Sequence, residues 1–66
     1  MAVLKIEAEE ISTGDRLIVR EDDKWKVFRV CEIQQVGWAM HIVYVRKRGT
    51  FGHIRCKAST RMRIRV

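Results

Sequence analysis

Apolar and polar residues alternate along much of this chain with a period of two. Leu4, Ile6 and Ala8 share one parity near the start, and residues 61–66 alternate strictly between arginine and an apolar side chain. A period of two places successive side chains on opposite faces of a β-strand. No stretch has the apolar spacing of three and four residues that an amphipathic helix requires. The pattern therefore predicts an all-β protein.

The breaks in this pattern predict six short strands. Gly14, Gly37, Gly49 and Gly52 lie between apolar segments, where turns are expected. The predicted strands are residues 3–8, 17–20, 25–34, 38–46, 53–56 and 61–66, with a short corner at 58–60. Six strands in so short a chain must curl to bury one face and cover their edges, so we expect one domain spanning residues 1–66.

The order of these parts resembles that of SH3-like small β-barrels. A first strand leads into an acidic loop, a long bent hairpin follows, and a one-turn corner precedes the closing strand. Residues 12–20, STGDRLIVR, also look like the Gly-Asp opening of KOW-type barrels. The resemblance covers most of the chain and implies an SH3-like barrel of five to six short antiparallel strands. In length and style the chain is similar to small basic barrel proteins of phages and plasmids.

The charges of this 66-residue chain are unevenly distributed, beneath a net charge of +6. Residues 1–32 hold all 8 carboxylates and 6 Lys/Arg, which sum to −2. Residues 33–66 hold the other 8 of the 14 Lys/Arg and no carboxylate, which sum to +8. A carboxylate-free half with this many cations indicates a polyanionic partner, of which nucleic acid is the commonest. A merely solubilising basic surface, neutralised across the fold by acidic residues, is the alternative.

Three arginines on the last predicted strand are the first candidate contacts to nucleic acid. Arg61, Arg63 and Arg65 fall on one side of that strand, about 6.7 Å apart, a spacing that suits successive phosphates. Pairing with the first strand would instead let Glu7 offset one of them. The remaining candidates are the turn residues Arg46, Lys47 and Arg48, the strand residues Arg55 and Lys57, which are expected to extend the same basic face, and Trp38.

The aromatic residues Trp25, Trp38, Tyr44 and Phe51 could stack on bases or wedge between them, although we expect most of them in the core. In residues 38–45, Trp38, Met40, Ile42 and Tyr44 share one side, and apolar residues on both sides leave open which side is buried. Trp38 and Met40 could face outward beside the arginines, and simple burial is the favoured alternative.

The cysteines and histidines indicate no cofactor. Cys31 and Cys56 lack CxxC spacing, which predicts two buried free thiols. A metal site that joins them to His41 and His53 is disfavoured, because no two ligands have a local spacing typical of such sites. The histidines also lack a catalytic partner at motif spacing, so they are structural residues or weak phosphate donors.

We therefore predict a binding protein without enzymatic activity. The predicted partner is nucleic acid, DNA rather than RNA, held chiefly by phosphate contacts with low sequence specificity. The alternative is an adaptor or inhibitor, such as a phage protein, that binds an acidic protein of the host. Residues 1–10 lack the features of a secretory signal, and no apolar run approaches the ~18 residues of a membrane helix. A cytoplasmic monomer or dimer, with no membrane contact, is expected.

Overall fold

Six antiparallel strands of a single sheet make up the protein in a computed structural model that describes residues 2–66. The strands are β1 (Val3–Glu7), β2 (Arg16–Glu21), β3 (Lys24–Val36), β4 (Ala39–Val45), β5 (Phe51–Lys57) and β6 (Arg61–Arg65). Their hydrogen-bonded order is β1-β6-β2-β3-β4-β5. The all-β prediction is confirmed, and the arrangement is compatible with a small barrel of the SH3-like type.

Helical structure in residues 2–66 is limited to two 3₁₀ turns of three residues each, Ala8–Glu10 and Lys47–Gly49. No helix in this part of the chain has the length and apolarity needed to cross a bilayer.

A tight turn joins β2 to β3. Its two central residues, Asp22 and Asp23, have left-handed φ angles of 50° and 61°. Two consecutive positive φ values define a type I′ turn, whose twist matches that of the flanking strands. Aspartate tolerates this conformation better than most residues, so the polar tip expected between the strands closes the hairpin in two residues.

β3 is the longest strand, with 13 residues, and it extends the predicted 25–34 at both ends. Its first half pairs with β2, and it pairs with β4 from Arg29 onward. The register shifts between Val30 and Glu32, which leaves Cys31 as the extra residue of a β-bulge. A bulge bends the strand and increases its twist, which allows β3 to take part in both halves of the curled sheet.

The core is built from one side of all six strands. Leu17, Val30 and Ile42 are its fully buried large side chains. Around the buried residues pack Ile6, Val19, Phe28, Ile33, Ile54, Cys56, Met62 and Ile64. In β4 the inward residues are Met40, Ile42 and Tyr44, which decides the question that the sequence left open.

Backbone hydrogen bonds tie the link between β5 and β6 to the rest of the fold. Ala8 donates its N–H to the carbonyl of Thr60 at 2.8 Å, and Glu9 donates to the carbonyl of Ala58 at 3.0 Å. Ala58 in turn donates to the carbonyl of Trp38 at 2.6 Å. The short corner predicted at 58–60 therefore connects strands that are consecutive in sequence but not paired with each other in the sheet.

Two expectations about the core are wrong. Of the four candidate aromatic residues, only Tyr44 lies in the core, whereas Trp25, Trp38 and Phe51 are exposed. Trp38 lies in the turn between β3 and β4, and the other two point outward from their strands. Cys31 is exposed because it is the bulged residue, and Cys56 is partly buried; both are free thiols.

Gly52 was expected between strands, but it lies within β5 and against the ring of Tyr44, where a Cβ atom would overlap the ring carbons. We expect Gly52→Ala to destabilise the protein by about 1–3 kcal/mol, because Tyr44 must move from a packed position. The midpoint of urea unfolding measures this cost. The same substitution in a Tyr44→Leu background should cost less, and an equal cost in both backgrounds would contradict the proposed overlap.

Candidate nucleic-acid interface

The outer side of β1, β6, β2 and the first half of β3 carries most of the clustered positive charge. We call this surface the arginine face. Strand register and alternation assign its residues as Val3, Lys5 and Glu7 of β1, Arg61, Arg63 and Arg65 of β6, Arg16, Ile18 and Arg20 of β2, and Trp25, Val27 and Arg29 of β3. Seven of these are Lys or Arg, and Glu7 is the single carboxylate among them.

Three arginines form a row across adjacent strands of this face. Arg16 stands opposite Arg65 of β6 on one side and opposite Arg29 of β3 on the other. Neighbouring strands are ~4.8 Å apart, so the backbones bring three like charges side by side. Like charges placed directly opposite each other destabilise a sheet. Folding stability therefore does not explain why Arg16 and Arg29 face each other.

The predicted pairing of the first and last strands is present, with Glu7 opposite Arg61 in the register. Within residues 2–66, however, Arg61 and Arg63 make no ion pair with a carboxylate. Lys5, another cation, stands opposite Arg63. Cross-strand neutralisation of Arg61 and Arg63 is thus limited at most to the proximity of Glu7.

Trp25 lies within the arginine face. The sequence analysis named it among the aromatic residues that could stack on bases, but did not include it in the predicted site. Its side chain is 53% exposed. The guanidinium carbon of Arg63 lies 5.2 Å from the ring centroid, and that of Arg20 lies 5.5 Å from it. Both are within the range of cation–π attraction, so the ring and the two cations form one cluster.

Arg46 has a structural partner that the sequence did not reveal. Its guanidinium donates to Oε2 of Glu21, and the hydroxyl of Tyr44 donates to the same oxygen at 3.2 Å. The Arg46 guanidinium also lies 5.6 Å from the centroid of the Phe28 ring. Part of its hydrogen-bonding capacity is therefore used at one end of the core, which makes Arg46 a weaker candidate for phosphate contact than predicted.

This cluster shifts the proton affinities of its members. The hydrogen bond from Arg46 is the main cause that lowers the pKa of the Glu21 carboxyl below its ordinary value of 4.5, and the same bond raises the pKa of Arg46. Burial raises the pKa of Tyr44 above 10.0. Lys26 adds a weaker attraction, with its Nζ 3.9 Å from Oε1 of Glu21.

The other predicted cations occupy two further places. Lys47 and Arg48 are exposed in the 3₁₀ turn after β4, where Arg48 has a φ of 62°. Arg55 and Lys57 lie on the outer side of β5. β5 is not hydrogen-bonded to β6, so no strand pairing joins these two cations to the β6 arginines, and their place in the same basic face stays a prediction.

Two histidines lie near the β5 cations. Nε2 of His41 is 3.0 Å from Nδ1 of His53, and the rings stack with centroids 5.1 Å apart. Among residues 2–66, no three His, Cys, Asp or Glu side chains gather as they would around a metal ion. Burial raises the pKa of the partly buried Cys56 thiol, which disfavours the thiolate that metal binding requires.

Trp38, the aromatic residue assigned to the site, is 82% exposed. It lies beyond the last residue of β3, whereas Trp25 is near the first. Its backbone carbonyl accepts a hydrogen bond from the N–H of Ala58. Its ring makes no cation–π contact in the part of the chain that is described. A role for Trp38 in binding remains a prediction.

The acid sensitivity of the fold should depend on Glu21. Because its pKa is lowered in the folded state, the pair with Arg46 stabilises the protein fully above about pH 4.5 and progressively less as the pH falls. Glu21→Gln should therefore destabilise the protein at about pH 7 by more than at about pH 3.5, as measured by urea unfolding. Glu9→Gln, at an exposed position, is the control. An equal loss at both pH values for Glu21→Gln would contradict this origin of the stability.

Replacing the central arginine of the row should increase stability. Arg16→Glu places a carboxylate between Arg65 and Arg29, and each new opposite-charge pair contributes about 0.2–1 kcal/mol. We expect a higher melting temperature at low ionic strength, with the gain reduced at about 1 M salt, where the Debye length is about 3 Å. Arg16→Gln should give an intermediate value. A lower melting temperature for Arg16→Glu at low salt would show that the row is not repulsive.

Comparisons with models of protein families, with curated proteins and with solved structures found no match to this chain.

Proposed function

We propose that this protein binds nucleic acid through the arginine face, chiefly by contacts to phosphates and with low sequence specificity. We further propose that its fold is an SH3-like barrel and that it acts as a binding protein rather than as an enzyme. The long bent β3, the short corner before β6 and the single core support the SH3-like interpretation. The two free thiols are in keeping with a reducing compartment such as the cytoplasm.

The observation that carries the proposal is the pair of arginines, Arg16 and Arg29, that stand opposite each other on β2 and β3. Their repulsion costs stability in the free protein, and a polyanion would remove that cost while releasing its own condensed counterions. Lys5 and Arg63 add a second pair of facing cations on the adjoining positions. A backbone of regularly spaced phosphates is the ligand whose charge matches such a surface.

Low specificity follows from where the cations lie. They project from paired strands of a curved sheet, not from a helix or a protruding ribbon that could enter a groove and reach base edges. Arginines in this position reach phosphates first, and phosphate contacts carry no direct sequence information.

The salt dependence of binding tests the proposal. If about four side chains contact phosphates of duplex DNA, log affinity should fall with log salt at a slope of about −3.6. Arg63→Gln should weaken binding to unrelated sequences alike and make the slope shallower by about 0.9. The titration is measured by fluorescence anisotropy of labelled oligonucleotides.

Lys47→Gln is the matched control, because it removes one exposed cation outside the arginine face. An equal effect of both variants would locate binding elsewhere or spread it over the whole surface. No binding of the wild-type protein to any nucleic acid at low salt would overturn the proposal. A defined complex with an acidic protein in its place would favour the adaptor alternative.

A further inference from the structure

We propose that the nucleic acid is single-stranded and that one of its bases stacks on Trp25. This inference rests on the proposed function and names the class of ligand for the same face. It depends on Trp25 as an exposed aromatic ring set among cations, a combination that binds single strands in many proteins.

The surroundings of the ring match the two parts of a nucleotide. Arg20 stands directly opposite Trp25 on β2, and Arg63 stands on β6, one strand further away. Both guanidinium groups therefore reach the ring from the side of β2 and β6, and about half of the Trp25 surface is still exposed. A base stacked on the exposed ring would have its flanking phosphates next to these cations.

Two shallow clefts adjoin Trp25, and both also include Ile18 and Arg63 in their walls. One of about 440 Å³ extends toward Val3. The other, of about 230 Å³, extends toward Arg61, where β2 and β6 separate after only three paired residues. Apolar side chains beside an aromatic ring would receive the face of a base, whereas phosphates alone would gain nothing from them.

The acidic turn beside Trp25 favours a single strand over a duplex. Asp22 and Asp23 lie two to three residues before Trp25, at the tip of the same hairpin. A rigid duplex laid across the ring would bring its dense phosphate charges toward these carboxylates, and its base faces are hidden in the stack. A flexible single strand exposes its base faces and can follow the cations of β2 and β6 instead.

The two tryptophans allow a direct spectroscopic test. Trp38→Phe leaves Trp25 as the only tryptophan, and Trp25→Phe leaves only Trp38. Titration with an oligothymidine should quench the fluorescence of the Trp38→Phe variant strongly and that of the Trp25→Phe variant weakly. An abasic strand with the same number of phosphates should bind without this quenching. Equal quenching of both variants, or quenching by the abasic strand, would overturn stacking on Trp25.

Affinity measurements provide the second test. Trp25→Ala should weaken binding to oligothymidine by about 5-fold to about 150-fold, the range expected for loss of one stacked base. Trp38→Ala, which removes an identical side chain elsewhere, should have little effect. At equal phosphate number, the wild-type protein should bind the single strand more tightly than the duplex.

The outcomes separate this inference from the proposed function. If the protein binds nucleic acid with the expected salt slope but is indifferent to Trp25→Ala, or prefers the duplex, stacking is wrong and the phosphate-binding face stands. If no nucleic acid binds at low salt, both proposals fail.

Discussion

The structure depends on a single sheet whose one side must supply the entire core. Residues 2–66 form no second layer that covers the other side. Because side chains alternate, every inward residue of β6 or β2 brings an outward neighbour that stays in solvent. The outer side is therefore where the chain can vary its chemistry without disturbing the packing of Leu17, Val30 and Ile42. In a sheet of this kind the outer side is the surface open to a ligand.

The chain uses arginine in two different ways. Arg46 donates to the carboxylate of Glu21, which also accepts a hydrogen bond from the Tyr44 hydroxyl, so the charge of Arg46 is compensated within the protein. Arg16 has cations on both sides within the sheet. The contrast shows that this sequence can place a carboxylate beside an arginine and that it does not do so on either side of Arg16. The charge of Arg16 is thus not balanced by its neighbours in the sheet.

The local features of the fold could be read from the sequence, whereas its long-range pairings could not. Strict alternation in residues 61–66 identified β6 and the side of its arginines, and the acidic tip and glycines located the turns. Nothing local indicates that β6 lies between β1 and β2, and this placement brings Arg16 and Arg20 to the terminal arginines. For the same reason the pairing of Glu21 with Arg46, 25 residues apart, was missed. Trp25 and Arg29 are both odd-numbered residues of one predicted strand, so the sequence places them on the same side of it. Assigning Trp25 to the arginine face also requires the pairing of β3 with β2, which the sequence does not show.

The bulge at Cys31 determines which residues of β3 face outward. Before it the odd-numbered positions point to solvent, and after it the even-numbered ones do, so that Val30 and Ile33 both reach the interior. If Cys31 were instead accommodated in a regular strand, Glu32 would turn inward and Ile33 outward, and every side chain up to the end of the strand would exchange sides. The apolar pattern of the second half of β3 therefore fits the core only while the bulge is present.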